Sequence, residues 1–151
     1  MPARKGAKKR FPWIIILALG TVIVVILVGI RSGFSSSPTV ASGYPREISL
    51  QQAKTELTNG ALLLDVREKD EYTKSHISGS LWIPLGDLLS WLDELPSDRL
   101  IIVVCQTGVR SAQGRNILLE SGYSTVTSLS GGMQAWIAAG YPVESGPPTS
   151  P

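Results

Sequence analysis

Leu100-Ile101-Ile102-Val103-Val104-Cys105-Gln106-Thr107-Gly108-Val109-Arg110-Ser111 is the stretch that decides how this chain is read. Five apolar residues in a row suit a strand buried on both faces. The chain's single cysteine follows at once. Next come a loop containing Gly108 and a helical pattern from Ser111 to Ser121, closed by Gly122. A thiol at the carboxyl end of a buried strand and just ahead of a helix sits where a thiolate can be stabilised. Cys105 is therefore the leading candidate for chemistry. A lone buried cysteine is otherwise usually a small hydrophobe, so the loop around it carries the argument.

Outward from this loop, short apolar runs alternate with helical patterns. A brief extended piece at Ile48 precedes a helix over Ser49 to Leu57, which Asn59-Gly60 ends. Ala61 to Leu64 reads as a buried strand ending at Asp65, and Glu68 to Tyr72 as a short helical turn. Leu81-Trp82-Ile83 is a strand stopped by Pro84. Leu85, Leu88, Leu89 and Leu92 mark an amphipathic helix, with Trp91 packing on it. Thr125 to Thr127 is the last strand and Gly132 to Ala139 the last helix. Apolar strands alternating with helices predict an α/β fold with a mostly parallel sheet covered on both faces. Ligands of such sheets bind at the carboxyl ends of strands, where Asp65 and Cys105 both fall. Gly114, inside the helix after the loop, costs about 1 kcal/mol relative to Ala and suggests a close approach to the sheet.

Four motifs now line up in order. They are Leu64-Asp65-Val66-Arg67-Glu68 with Glu71-Tyr72; His76-Ile77-Ser78-Gly79-Ser80; Cys105 to Arg110; and Leu129-Ser130-Gly131-Gly132 with Ala135-Trp136 and Gly140-Tyr141-Pro142-Val143. Together they resemble a single-domain rhodanese, over about residues 46–143. The resemblance implies a rhodanese-like five-stranded sheet flanked by helices on both faces. It also implies transfer of a sulfane sulfur through a persulfide on Cys105. Donors would be thiosulfate, a persulfide or a polysulfide. With no second cysteine, the acceptor must be external: cyanide, a small thiol or a protein thiol.

The residues support that chemistry independently. Lowering a thiol from its ordinary pKa of about 8.5 by two units takes about 2.7 kcal/mol of preferential stabilisation of the anion. The backbone N–H groups of Gln106 to Arg110, turned inward, and the following helix N-terminus would supply it. Gly108 allows the required backbone angle. Arg110 adds a permanent charge and a fork of donors. We therefore assign catalysis to Cys105 and Arg110, a substrate-binding loop to Gln106, Thr107, Gly108, Val109 and Ser111, and supporting roles to Asp65 and Arg67. Asp65 is read as ordering loops at the sheet edge, through hydrogen bonds to the second motif. The resemblance implies that His76 orders a turn with Gly79 rather than acting as a general base. Gly131-Gly132 is read as a tight turn, and Trp82 and Trp136 as core or pocket wall.

Loop length separates related chemistries. Cys-loop phosphatases and arsenate reductases of this fold place five residues between Cys and Arg; here there are four, a tighter ring suited to one sulfur atom. A non-catalytic binding or sensing module is the main alternative, and phosphatase or arsenate reductase the lesser one. Thiosulfate-using members often carry basic loop residues, whereas Gln106 and Val109 are neutral.

Composition narrows the rest. Residues 1–46 hold seven Lys and Arg and no acid; residues 47–151 hold seven Lys and Arg and all twelve acids. An acidic domain behind a basic leader argues against nucleic-acid binding. One cysteine excludes an internal disulfide or a CxxC redox pair, and one cysteine with one histidine makes a structural zinc site untenable. No metal or organic cofactor is implied. Trp13 to Ile30 is an 18-residue stretch without a charge. As a helix it spans roughly 27 Å, close to the ~30 Å hydrocarbon core of a membrane. Five basic residues precede it and only Arg31 follows closely, which places the N-terminus in the cytoplasm and the domain outside, on the cell membrane. An uncleaved single-pass anchor is preferred to a cleaved secretory signal, whose apolar run would be shorter, and to a buried core helix. The expected organisation is a basic tail 1–12, a transmembrane helix 13–30, a linker 31–45, the domain 46–144 and a disordered tail 145–151.

Overall fold

The computed structural model describes residues 43–148. The expected basic tail, transmembrane helix and most of the linker lie outside the described residues, as do residues 149–151. Among the described residues, no helix is long and apolar enough to cross a membrane.

The elements run β1 (Glu47–Ile48), α1 (Leu50–Thr58), β2 (Leu62–Asp65), α2 (Lys69–Lys74), β3 (Leu81–Trp82), a 3-10 segment (Leu85–Glu94), β4 (Ile101–Val104), α3 (Val109–Glu120), β5 (Val126–Leu129) and α4 (Gly132–Ala138). The strands form one five-stranded sheet in the order β1-β5-β4-β2-β3, and every pairing is parallel. This is the α/β architecture expected from the sequence. β4 occupies the centre, so its residues are buried from both sides.

Alternation along β4 distributes its side chains between two cores. Ile101, Val103 and Cys105 join Leu64, Val66, Leu88 and Leu118 on one face. Leu100, Ile102 and Val104 join Leu63, Leu129, Met133 and Trp136 on the other. Each fully buried aliphatic side chain contributes about 1.5–3 kcal/mol. The apolar run of β4 is therefore explained by two-sided burial, and it fixes Cys105 at the end of the central strand.

Local signals set the helix starts. Ser49 caps α1: its hydroxyl accepts from Gln52 N at 3.2 Å while Gln52 Oε1 accepts from Ser49 N at 3.0 Å. This reciprocal pair satisfies two donors that a helix start leaves open. α3 begins at Val109, two residues before the expected Ser111, because Gly108 itself is the cap, at φ +114° and ψ −21°. A side chain resists that angle, so the break is confined to glycine and the helix follows at once. β2, β4 and β5 start one residue later than the apolar runs suggested, and β5 continues to Leu129.

The segment after Pro84 departs from expectation. It coils as a 3-10 helix rather than an α-helix. The tighter repeat of three residues per turn separates Leu89 from Leu85 and Leu88. Leu88 is fully buried, whereas Leu89 is 65% exposed and Trp91 also reaches solvent. Leu85 and Leu88 close against α3 at Gly114. A Cβ there would lie 3.2 Å from Val103 Cγ1 and 3.5 Å from a methyl of each leucine. That close approach is the reason for a glycine inside α3.

Candidate active site

Cys105 leaves β4 and turns its sulfur beneath the loop that leads into α3. The side chain is 1% exposed. Its sulfur accepts a hydrogen bond from Gly108 N at 3.2 Å and lies 3.6 Å from the Ser111 hydroxyl, which also donates to Gly108 O at 2.9 Å. Burial pushes the thiol up. The Ser111 hydroxyl, then the backbone N–H groups of Ser111, Gly108 and Thr107, pull it down, and the balance leaves it below its ordinary value. These are the expected kinds of donor on a smaller set of residues. The donors that act on the sulfur are Thr107, Gly108 and Ser111. Val109 is 69% exposed.

The loop is held from behind by α4. Met133 N donates to Cys105 O at 2.8 Å, and Gln134 N donates to Gln106 O at 3.0 Å. The first open N–H groups of α4 are thus spent on the loop's carbonyls. Gly132, at φ +58°, makes this docking possible: a Cβ there would stand 2.3 Å from Cys105 O. Gly131-Gly132 is a tight turn, as expected, and it is also the wall against which the cysteine loop rests. Only the fold reveals that second role.

Arg110 departs from the expected geometry. Its guanidinium does not hydrogen-bond the sulfur. Its fork grips Glu71, Nη1 to Oε2 at 2.7 Å and Nη2 to Oε1 at 2.6 Å. The hydrogen bond from Arg110 holds the Glu71 carboxyl below the usual carboxylate range, and the same bond raises the guanidinium. The charge of Cys105 also acts on Arg110, so the two remain electrostatically coupled without touching. Glu71 Oε2 further accepts Glu68 N at 3.1 Å as part of the box that starts α2. The Glu68-x-x-Glu71 spacing announces a helix start. It says nothing of a partner 39 residues away.

Asp65 and Arg67 form a buried structural clasp. Arg67 Nη2 and Nε donate to Asp65 Oδ2 at 2.7 and 3.0 Å, and Nε also reaches Oδ1 at 2.9 Å. The remaining donors reach Ser75 O at 2.7 Å, Glu71 O at 3.3 Å and Gln106 Oε1 at 3.4 Å. Asp65 thus orders the sheet edge through Arg67, not by direct bonds to the second motif. Gln106 ties the clasp to the cysteine loop.

His76 stands apart from the sulfur. It stacks on Tyr72 at 4.0 Å, pairs Nδ1 with Tyr72 O at 3.0 Å, and exchanges two backbone hydrogen bonds with Glu144. The adjoining turn is closed by Ser80 N donating to Ile77 O at 3.1 Å, so Gly79 sits in a turn that His76 flanks and anchors. Trp136 is core, with Nε1 donating to Pro142 O at 3.0 Å; Trp82 donates to Arg67 O at 2.9 Å. Past residue 144, Gly146 N still donates to Thr73 O at 2.9 Å. Among the described residues, no group of three or more His, Cys, Asp or Glu is arranged to hold a metal.

Comparison with known proteins agrees with this geometry. Residues 49–139 match the model of the rhodanese-like domain. The chain is 33% identical to the thiosulfate sulfurtransferase GlpE of Haemophilus influenzae, over 66% of this chain and 95% of that protein. It is 36% identical to YrkF of Bacillus subtilis over 71% of this chain, and spans 58% of that longer relative. A rhodanese-related protein from Thermoplasma volcanium superimposes with a TM-score of 0.62 at 32% identity, covering 66% of this chain and 98% of that one. A buried cysteine under a backbone-lined loop, on an all-parallel sheet of this order and with these relatives, leads to one conclusion: the chain belongs to the rhodanese-like domain family.

Proposed function

We propose that this sulfurtransferase carries sulfane sulfur on Cys105 at the surface of a membrane. The observation that carries the reading is the sulfur's setting, buried yet met by Gly108 N at 3.2 Å and by the Ser111 hydroxyl at 3.6 Å. A thiolate held this way attacks the outer sulfur of a donor. With thiosulfate, a bond forms between Cys105 Sγ and the sulfane sulfur, the donor's S–S bond breaks, and sulfite leaves with the electron pair. An acceptor thiolate or cyanide then attacks the terminal sulfur of the persulfide and returns Sγ as thiolate. The same loop donors serve both anions. Arg110 acts as a charge at the mouth, guiding anionic donors, and Glu71 moderates it. Asp65 and Arg67 hold the frame.

Mass spectrometry after incubation with thiosulfate or polysulfide tests this. The expected result is the gain of one sulfur atom by the wild type and none by Cys105→Ser. No gain with any donor would leave the non-catalytic binding module as the better reading.

The location is part of the proposal. The charge-free stretch 13–30, with five basic residues before it, supports a single-pass anchor with the domain on the extracytoplasmic side. A reporter fused after residue 46 should be active outside the cytoplasm. Activity only inside would reverse the topology.

A further inference from the structure

Away from Cys105, a cavity of about 420 Å³ opens between α3 and the β1–β5 edge of the sheet, lined by Arg46, Glu47, Ala112, Arg115, Asn116 and Ser128. Arg115 is 6% exposed, and its Nε is buried with no hydrogen-bond partner among the described residues. One Nη reaches Asn116 Oδ1 at 3.3 Å, which leaves the side of the fork that carries Nε open. A buried guanidinium with an open donor costs free energy unless an acceptor meets it. The cavity also holds a second arginine. The backbone of Arg46 is pinned to β5, because Ser128 N and Oγ donate to Arg46 O at 3.1 and 2.9 Å, and Thr127 Oγ1 donates to Pro45 O at 2.7 Å. The two cations repel, and neither forms an ion pair with Glu47, the exposed acid of the lining, among the described residues.

We infer that this cavity is a binding site for a tetrahedral oxyanion group, of the sulfate or phosphate kind, separate from the cysteine loop. The Arg115 guanidinium lines the cavity with its Nε unpaired, and the planar fork would offer donors to one pair of oxygens. Arg46 approaches from another side and needs a further oxygen, which a planar carboxylate lacks and a tetrahedral group has. The volume exceeds that of a bare anion, so a monoester fits as well. Arg115 lies four residues beyond Ser111, about 6 Å along α3, so an occupied site would brace the helix that carries the sulfur's hydroxyl partner. The inference stands on the cavity alone and does not depend on sulfur transfer.

The test uses the full chain carrying Cys105→Ser, so that no probe reacts with the thiol. Thermal melting and the Arg115 Nε–H NMR signal are followed against sodium sulfate and phenyl phosphate, with sodium chloride at matched ionic strength as the control. The expected result is a saturable shift with the oxyanions, absent with chloride, and an apparent affinity weakened about tenfold or more by Arg46→Gln or Arg115→Gln. If Arg115→Gln does not fold, Arg46→Gln and the Nε–H signal still decide. Tighter binding of phenyl phosphate would identify a monoester, and equal binding a free anion. A shift that never saturates, that chloride reproduces, or that survives Arg46→Gln unchanged would overturn the site.

Discussion

Two arginine–carboxylate pairs flank the cysteine loop, alike in their two-pronged contact and different in burial. Arg67–Asp65 meets at 2.7 Å with side chains 1% and 0% exposed; Arg110–Glu71 meets at 2.6 Å with side chains 28% and 32% exposed. The first pair spends its other donors on three further acceptors. The second leaves its outer surface in water. In low dielectric an unpaired charge is severely penalised, so the buried pair is a staple that tolerates no loss of a partner. At the mouth, solvent and salt screen the charges, so that pair contributes little stability and is free to serve electrostatics. Equal geometry does not mean equal function; burial assigns the role.

The comparison breaks most readily at Arg67. Arg67→Ala strands Asp65 at zero exposure, and we expect a loss of about 3–5 kcal/mol in urea denaturation. A cost no larger than that of Glu71→Gln would remove the distinction. Glu71→Gln should itself cost no more than about 1 kcal/mol while freeing Arg110. KM for thiosulfate should then fall, and the gain should shrink as salt is added. An unchanged KM at low salt would deny Arg110 a steering role. Ser111→Ala is read in reactivity rather than in stability. Alkylation of Cys105 followed against pH should show a midpoint below that of a free thiol. Burial raises that midpoint and Ser111 is the next largest influence, downward, so its removal should move the midpoint up and slow alkylation near neutrality. Ser111→Ala should shift the midpoint more than Glu71→Gln, since neither arginine hydrogen-bonds the sulfur. The reverse ranking would put the control of the thiolate at the mouth.

Much of the fold was legible in the sequence because burial writes itself into apolar runs. Leu100 to Val104 read as a two-sided strand, which put Cys105 at its carboxyl end, and Asp65 followed in the same way from Ala61 to Leu64. The same logic failed after Pro84. A leucine stripe specifies a buried face but not whether the coil repeats every 3.0 or 3.6 residues, and here the repeat is the tighter one. Helix starts shifted where glycine rather than a polar cap made the break, as at Gly108. In the site, Cys105, Gly108 and Ser111 were recognised because their roles depend on neighbours within six residues of chain. The grip of Glu71 on Arg110, the wall at Gly132 and the open Nε of Arg115 depend on segments that meet only through the sheet.

By itself, then, the sequence determined an alternating α/β domain, a single thiol at the end of its central strand, and a spacing of four residues between that thiol and Arg110. Those properties follow from local patterns: hydrophobic period, one glycine, one spacing. The tertiary structure alone decided which donors face the sulfur, which arginine is buried with its carboxylate and which stays partly in water, and where a buried guanidinium has an unpaired Nε. Such choices are made by distance and burial, and chain order encodes neither for residues far apart.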